Sequence, residues 1–241
     1  MTTNRPRRLA SLAAAVAIAL GSLAAPARAA DAPPVEPIPW DTSTKAPIQR
    51  LKLKRLVNAQ LAAVVRKPEK GFELVYEAML TRKGMERKYR QEAADALAKI
   101  NGSSAAVELI RGIGLVPEDE RATAKELVGL LMAQKPADLA AQKDALAEQA
   151  NTAENAEVRK AAYAALAVAG GKADAVWDAA AAKDDGVALL LGGVGLIADA
   201  KVRGTFAEKL LPLVATAKDE AQQVAAIDAA SYLPGREADA V

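Results

Sequence analysis

The segment Asn155-Ala156-Glu157-Val158-Arg159-Lys160-Ala161-Ala162-Tyr163-Ala164-Ala165-Leu166-Ala167 carries the clearest helical pattern in this chain of 241 residues. Small Ala161, Ala162 and Ala165 let neighbouring helices approach closely, while Val158 and Leu166 recur at helical spacing and are expected to fill a core. Gly170-Gly171 stops the pattern, and a second helical pattern runs over 172–183. The same alternation of helix, breaker and helix extends in both directions. Breakers inside the pairs fall near Asn101, Lys135, Gly170, Asp199 and Gly235, at spacings of 34, 35, 29 and 36 residues. Periods of this size mark helical solenoids, in which no unit buries its apolar face alone. The expected fold is therefore all-α: a right-handed α-solenoid of antiparallel helix pairs.

Reading outward, a helix over 85–100 ends at Asn101-Gly102, and Ser103 is expected to cap its partner through Leu115. Pro117 closes that pair, because the residue before proline is pushed out of the α region. Helices over 118–134 and 137–150 flank Pro136, and 186–198 and 201–217 form another pair. A helix over 219–233 opens a last pair, with Pro234-Gly235 as its turn. Ala238 and Val241 then read as the start of another buried face, so the array over 85–241 is expected to be truncated at its C-terminal end. Upstream, 48–84 reads as a capping helix pair that matches the repeat poorly. Leu51, Leu56, Leu61 and Val65, flanked by Val57 and Val64, line its first helix; Phe72, Val75, Met79 and Leu80 face inward from its second, and Gly84 stops it.

Residues 1–29 read as an export signal. Arg5, Arg7 and Arg8 supply a positive start, an apolar run follows, and Ala27-Arg28-Ala29 places small residues at the cleavage site. The apolar run is short for a bilayer-spanning helix, which needs roughly 20 residues. The expected location is the periplasm or the extracellular space, with no stable membrane insertion after cleavage. Removing four arginines leaves 28 basic against 30 acidic residues, a net charge of −2, which gives no support for a bulk nucleic-acid binder. Residues 30–47 hold Pro33, Pro34, Pro37, Pro39 and Pro47 and read as a Pro-rich linker, with Trp40 a candidate to dock on the first helix pair.

The 155–167 run resembles the signature of a HEAT repeat: an amide or acidic turn residue, then Val-Arg, then Ala-Ala and Ala-Leu at helical spacing. Looser echoes occur at Arg90 to Ile100 and at Gln223 to Leu233. The structural signature falls on Val158, Arg159, Ala162 and Leu166, and the resemblance implies that Arg159 bonds the turn between helices and holds units in register. The unit from Asp184 departs from the pattern, since Gly192, Gly193 and Gly195 lower helix propensity; a bend, a close helix crossing and simple tolerance all account for them. An exported chain of this kind is similar to the N-terminal parts of planctomycete-type HEAT-repeat proteins, in which the array often accompanies a c-type cytochrome module.

Composition removes most chemistry. With no His and no Cys, the chain has no Ser-His-Asp triad, no thiolate nucleophile, no ordinary zinc site, no His or Cys ligand for haem and no disulfide. Glu118-Asp119-Glu120 and Asp184-Asp185 lack the ligand spacing of a Ca²⁺ loop and precede helices, where the helix dipole favours acids. Gly112-x-Gly114 and Gly192-Gly193-x-Gly195 follow no strand and lack the Lys-Ser/Thr of a phosphate loop. Trp177 reads as a core filler. Lys52, Lys54 and Arg55, with Lys45 and Arg50 upstream and Arg66-Lys67 downstream, make the most basic stretch, a solvated face or a contact for anionic lipid or an acidic partner. No catalytic residue, cofactor or metal is expected. The expected function is non-enzymatic protein binding on the concave face of second helices, through Glu108, Arg111, Lys143, Glu148, Asp178 and Lys183. The alternative is a spacer or docking region of a larger exported multidomain protein whose chemistry lies beyond residue 241.

Overall fold

The computed structural model describes residues 35–216 and 220–235. The expected signal peptide at 1–29 and the expected further face at Ala238 and Val241 lie outside the described residues. Among the described residues the fold is all-α, with one isolated bridge between Ile38 and Val64. The helices are α1 (Ala46–Arg55), α2 (Asn58–Ala62), α3 (Glu73–Thr81), α4 (Arg87–Asn101), α5 (Ala105–Leu115), α6 (Arg121–Met132) and α7 (Pro136–Ala140). They continue as α8 (Lys143–Thr152), α9 (Ala156–Gly170), α10 (Asp174–Ala181), α11 (Gly186–Val194), α12 (Ala200–Gly204), α13 (Ala207–Thr216) and α14 (Glu220–Ser231). None is long and apolar enough to cross a membrane.

Local chemistry sets several of these ends. The Asn155 side chain accepts from the N–H groups of Glu157 and Val158 at 2.8 and 3.4 Å and starts α9. Ser104, not Ser103, caps α5 by accepting from Val107 N–H at 3.3 Å; the Ser103 hydroxyl donates instead to the Glu108 carboxylate. Gly102 and Gly171 stop α4 and α9 in the left-handed region, at φ of 63° and 67°, where a side chain is costly.

The main helix contacts join elements close in chain order: α3 on α4, α4 on α5, α5 on α6, α8 on α9, α10 on α11, and α13 on α14. Contacts of α9 with α11 and of α11 with α14 join alternate long helices. The hub is α9, which touches α5, α6, α7, α8, α10 and α11. Val158, Ala161, Ala162, Tyr163, Ala164, Ala165, Ala167 and Val168 are all buried on it, as expected of a helix apolar on nearly every side. Their small size lets so many neighbours come close. Gly193 shows how close: a Cβ built there would sit 2.7 Å from the Lys160 carbonyl oxygen of α9. Of the accounts open for the 192–195 glycines, a close helix crossing holds at Gly193.

Three expected helices are broken. The 48–67 helix splits at Leu56-Val57; Leu53, Leu61 and Val64 enter the core, while Leu51, Val57 and Val65 stay exposed. The 137–150 helix splits into α7 and α8, whose buried Leu139, Leu146 and Ala150 belong to the core. Both pack mainly on α9 and not on α6, so this unit is not the simple antiparallel hairpin the period implies. The 201–217 helix breaks at Thr205-Phe206, where the Thr205 hydroxyl accepts from Ala173 N–H at 2.9 Å and Phe206 is fully buried. Leu166 is also corrected. It is half-buried against the core, because the alanines beside it, not Leu166, occupy the inward side of α9.

Residues 35–45, expected as part of an extended linker, are tied to the helices. Ile38 N–H donates to the Ala63 carbonyl at 2.9 Å, and Val65 N–H donates to the Ile38 carbonyl at 2.8 Å. Ile38 and Trp40 pack against the core. Gln49, buried on α1, donates to the Thr44 carbonyl at 2.8 Å and secures the turn before the helix. Within that turn the Ser43 and Thr44 hydroxyls donate to Asp41 and hold its carboxyl down at about 2.

Candidate functional site

The most organised polar chemistry in the molecule is a series of arginines that clip successive helices together. Arg90 and Arg159 are the fourth residues of α4 and α9, and Arg203 is the fourth residue of α12. Side chains on a helix lean toward its N-terminus, so an arginine in the first turn reaches back to where the previous helix ended. Arg90, fully buried, donates to the carbonyls of Leu80 and Arg82 at the end of α3 and to that of Met85, and pairs with Glu126 of α6 at 2.9 Å. Arg159 donates to the Ala150 carbonyl of α8 at 2.9 Å and grips Asp185, in the turn before α11, with two bonds of 2.5 and 2.7 Å. Arg203 donates to the Ile197 and Ala198 carbonyls after α11 and to the Tyr232 carbonyl after α14.

Two further arginines do similar work outside the first turn. Arg66 donates to the Ala62 and Val64 carbonyls and forms a bidentate pair with Glu92 of α4 at 2.8 Å. Arg82 donates to the Leu53 and Leu56 carbonyls that end α1. The carbonyls at a helix C-terminus are unpaired and carry partial negative charge, so a guanidinium satisfies both needs at once. Burial pushes the Arg90 and Arg82 guanidinium pKa values down, with Glu126 opposing the shift at Arg90. The hydrogen bond from Arg159 pulls the Asp185 carboxyl below its ordinary range, and Asp185 raises the guanidinium in return.

The six residues expected to meet a partner do not form one constellation. Glu108 is corrected: at 1% exposure it is no surface position. It accepts from Asn101, Ser103 and Arg111, so its charge is spent inside the fold. Arg111 is exposed and pairs with Glu108 at 2.9 Å. Lys143 and Glu148 are exposed on α8, Asp178 is exposed on α10, and Lys183 is exposed in the turn after it. Asp184-Asp185 precedes α11, and Asp185 serves Arg159. No group of three or more metal-ligating side chains comes together among the described residues.

A groove of about 540 Å³ opens beside Arg111, between α1, α3 and the turn that follows α5. Leu74, Glu77, Ala78 and Thr81 of α3 form its floor. Leu53, Arg50 and Lys54 of α1 stand on one side, and Leu115 and Pro117 on the other. Burial pushes the Glu77 carboxyl up, with Arg50 opposing. The sequence marks the basic stretch on α1 but not the groove, which depends on α5 ending at Leu115 over the floor of α3. The glycines of α5 were the readable signal for that approach: a Cβ at Gly112 would sit 2.7 Å from Leu80 of α3. Comparison with protein-family models, curated proteins and solved structures finds no match to this chain.

Proposed function

We propose that the chain is a non-enzymatic binding scaffold of an exported protein: a right-handed HEAT-like solenoid that holds a protein partner along its second helices. The observation that carries this reading is the arginine series. Arg66, Arg90, Arg159 and Arg203 each tie the end of one helix to an element further along the chain, which favours a rigid frame. Helix contacts that run between near neighbours in chain order support an array of stacked units. Lys143, Glu148 and Asp178 stand exposed on such helices, free to meet a partner.

The test places a photo-cross-linking residue at position 143 or 178 in the full chain, expressed in its own cell. One discrete adduct is expected, with a protein that then binds the purified chain in titration. No adduct from either position, with the chain folded and present, overturns the reading. Export is checked on the same sample: a mature N-terminus at Ala30 is expected, and a retained Met1 refutes the cleaved signal.

A further inference from the structure

The groove between α1, α3 and α5 combines apolar side chains with exposed cations that form no ion pair. Leu74 and Ala78 are half-buried in it, and Leu115 is left 55% exposed at the end of a helix whose other large apolar residues are mostly buried. Arg50, Lys54 and Lys83 stand around this apolar patch, exposed, and none has an acidic side chain within 4.0 Å to pair with. Other arginines in the vicinity are committed. Arg82 is bonded to carbonyls of α1, and Arg111 to Glu108.

Two carboxylates also line the groove, and they differ. Glu120 at the outer end takes a hydrogen bond from the Thr123 hydroxyl at 3.4 Å. Glu77 lies on the floor, where no hydrogen-bond donor of the described residues reaches its carboxylate. An occupant that brings an N–H to Glu77, apolar bulk to Leu74 and Leu115, and negative charge to the rim would satisfy all three surfaces.

We propose that this groove takes a linear acidic peptide, with an apolar side chain against Leu74, Ala78 and Leu115 and flanking carboxylates on Arg50, Lys54 and Lys83. The inference rests on the reading of the chain as a protein-binding scaffold and gives that reading a place and a chemistry. A peptide backbone supplies the N–H that Glu77 lacks. Its apolar and acidic side chains match a groove lined by both Leu74, Ala78 and Leu115 and Arg50, Lys54 and Lys83. The volume suits a few side chains, being within the roughly 300–1,000 Å³ of pockets that hold drug-sized ligands. A lipid surface is a poor fit: it is planar, and it cannot enter a concave floor to reach Leu74 or Glu77. Charges of the rim give specificity and salt dependence, and the apolar anchor gives residence time.

The experiment is a selection from a random dodecapeptide library on the full chain, followed by titration of the enriched peptide. Enrichment of Asp and Glu around one or two apolar residues is expected. The Arg50→Glu/Lys54→Glu variant should weaken that peptide at least about tenfold, since both charges are reversed at the rim. Binding should also fall as salt rises. Lys172→Glu, at an exposed position in the turn after α9, should leave it unchanged. Circular dichroism melts confirm that the variants fold. Lys83→Glu serves if the double variant does not, because Lys83 lies in the turn after α3, away from α1.

No enrichment, enrichment of basic peptides, or an affinity indifferent to these substitutions overturns the proposal. Vesicles of phosphatidylglycerol form the second arm. Vesicle binding that the rim variants abolish, without peptide enrichment, assigns the cations to lipid and also overturns it. Cross-linked adducts at 143 or 178 alongside a failed peptide selection would refute the groove alone. Loss of both would refute the scaffold as well.

Discussion

Gly193→Ala probes the α9–α11 crossing on which the centre of the fold depends. Gly193 is buried near the end of α11, and its added Cβ would lie 2.7 Å from the Lys160 carbonyl oxygen and 3.7 Å from the Ala164 Cβ. Ordinary non-bonded contacts lie at about 3.5–4.0 Å. The two helices must therefore separate by somewhat under 1 Å, and the obstacle is backbone in a helix held on six sides. Overpacking of this kind costs about 1–3 kcal/mol. Alanine returns up to about 1 kcal/mol of helix propensity, so the net loss is on the order of 1–2 kcal/mol. For a chain of this size that lowers Tm by about 2–8 °C.

The neighbouring position supplies the control. Gly192 is exposed, and the three atoms nearest a Cβ there all belong to the Lys160 side chain, with Cε at 3.1 Å, Cδ at 3.3 Å and Cγ at 3.7 Å. A lysine side chain can swing away, so Gly192→Ala keeps the propensity gain of about 1 kcal/mol and should stabilise the chain slightly. Urea denaturation of both variants, with m-values compared, reads the difference. If Gly193→Ala proves as stable as Gly192→Ala, the crossing is looser than described, and the argument for α9 as a tightly packed hub fails.

Arg90→Met should cost about 3–5 kcal/mol in denaturant melts, because it leaves the Leu80 and Arg82 carbonyls without their buried donor; a loss below about 1 kcal/mol would show that water replaces the guanidinium at no cost. Leu109→Ala should cost about 3–5 kcal/mol at a fully buried site, and half-buried Leu166→Ala only about 1–2 kcal/mol, so an inverted order would return Leu166 to the core. Glu77 has its folded pKa raised above the ordinary 4.5 by burial, so its favourable contribution is full below that value and lost as pH rises through the folded pKa. Glu77→Gln should therefore stabilise the chain at neutral pH, with the gain fading below about pH 4 in melts across pH; a gain independent of pH would refute burial as the cause. Asp185 runs the other way: its folded pKa is depressed by Arg159, so the pair's contribution holds above the ordinary 3.8 and is lost as pH falls through the folded value. Asp185→Asn should accordingly cost stability at neutral pH, with the cost shrinking as pH falls through the folded pKa, and a cost that does not change with pH would refute the ion pair.

The helical class was legible because it depends on local chemistry: alanine runs, the Asn155 cap and the glycines at 102 and 171 act over a few residues. What the sequence concealed depends on pairs of elements. Periodicity cannot show that α7 and α8 turn their buried leucines to α9 and not back to α6, since the choice is made by which surface has room. Alanine was the residue whose meaning is easiest to invert. In a pattern sought through large apolar residues, Leu166 reads as core and Ala164 as filler, whereas on a helix with neighbours on six sides only the small residues can face inward.

The same reasoning explains why charged residues of one type have opposite fates here. Glu108 and Arg111 share a helix and read alike in sequence, yet one is sealed by three donors and the other is exposed. Of the clip arginines, the sequence assigns a role to Arg159 alone; Arg90 only opens a looser echo of the same signature, and Arg66 and Arg203 fall in none. Their common signal is positional: Arg90, Arg159 and Arg203 are each the fourth residue of a helix. A cation in a helix's first turn opposes the helix dipole, so it is a local fault by the usual rule. The fault is offset when the side chain leans back onto the carbonyls of the preceding helix and meets an acid or carbonyl beyond it. A first-turn arginine that follows a short break is therefore readable as a tie between helices. By contrast, Arg50 and Lys54 sit past the first turn of α1, hold no helix-end carbonyl and stand exposed at the groove.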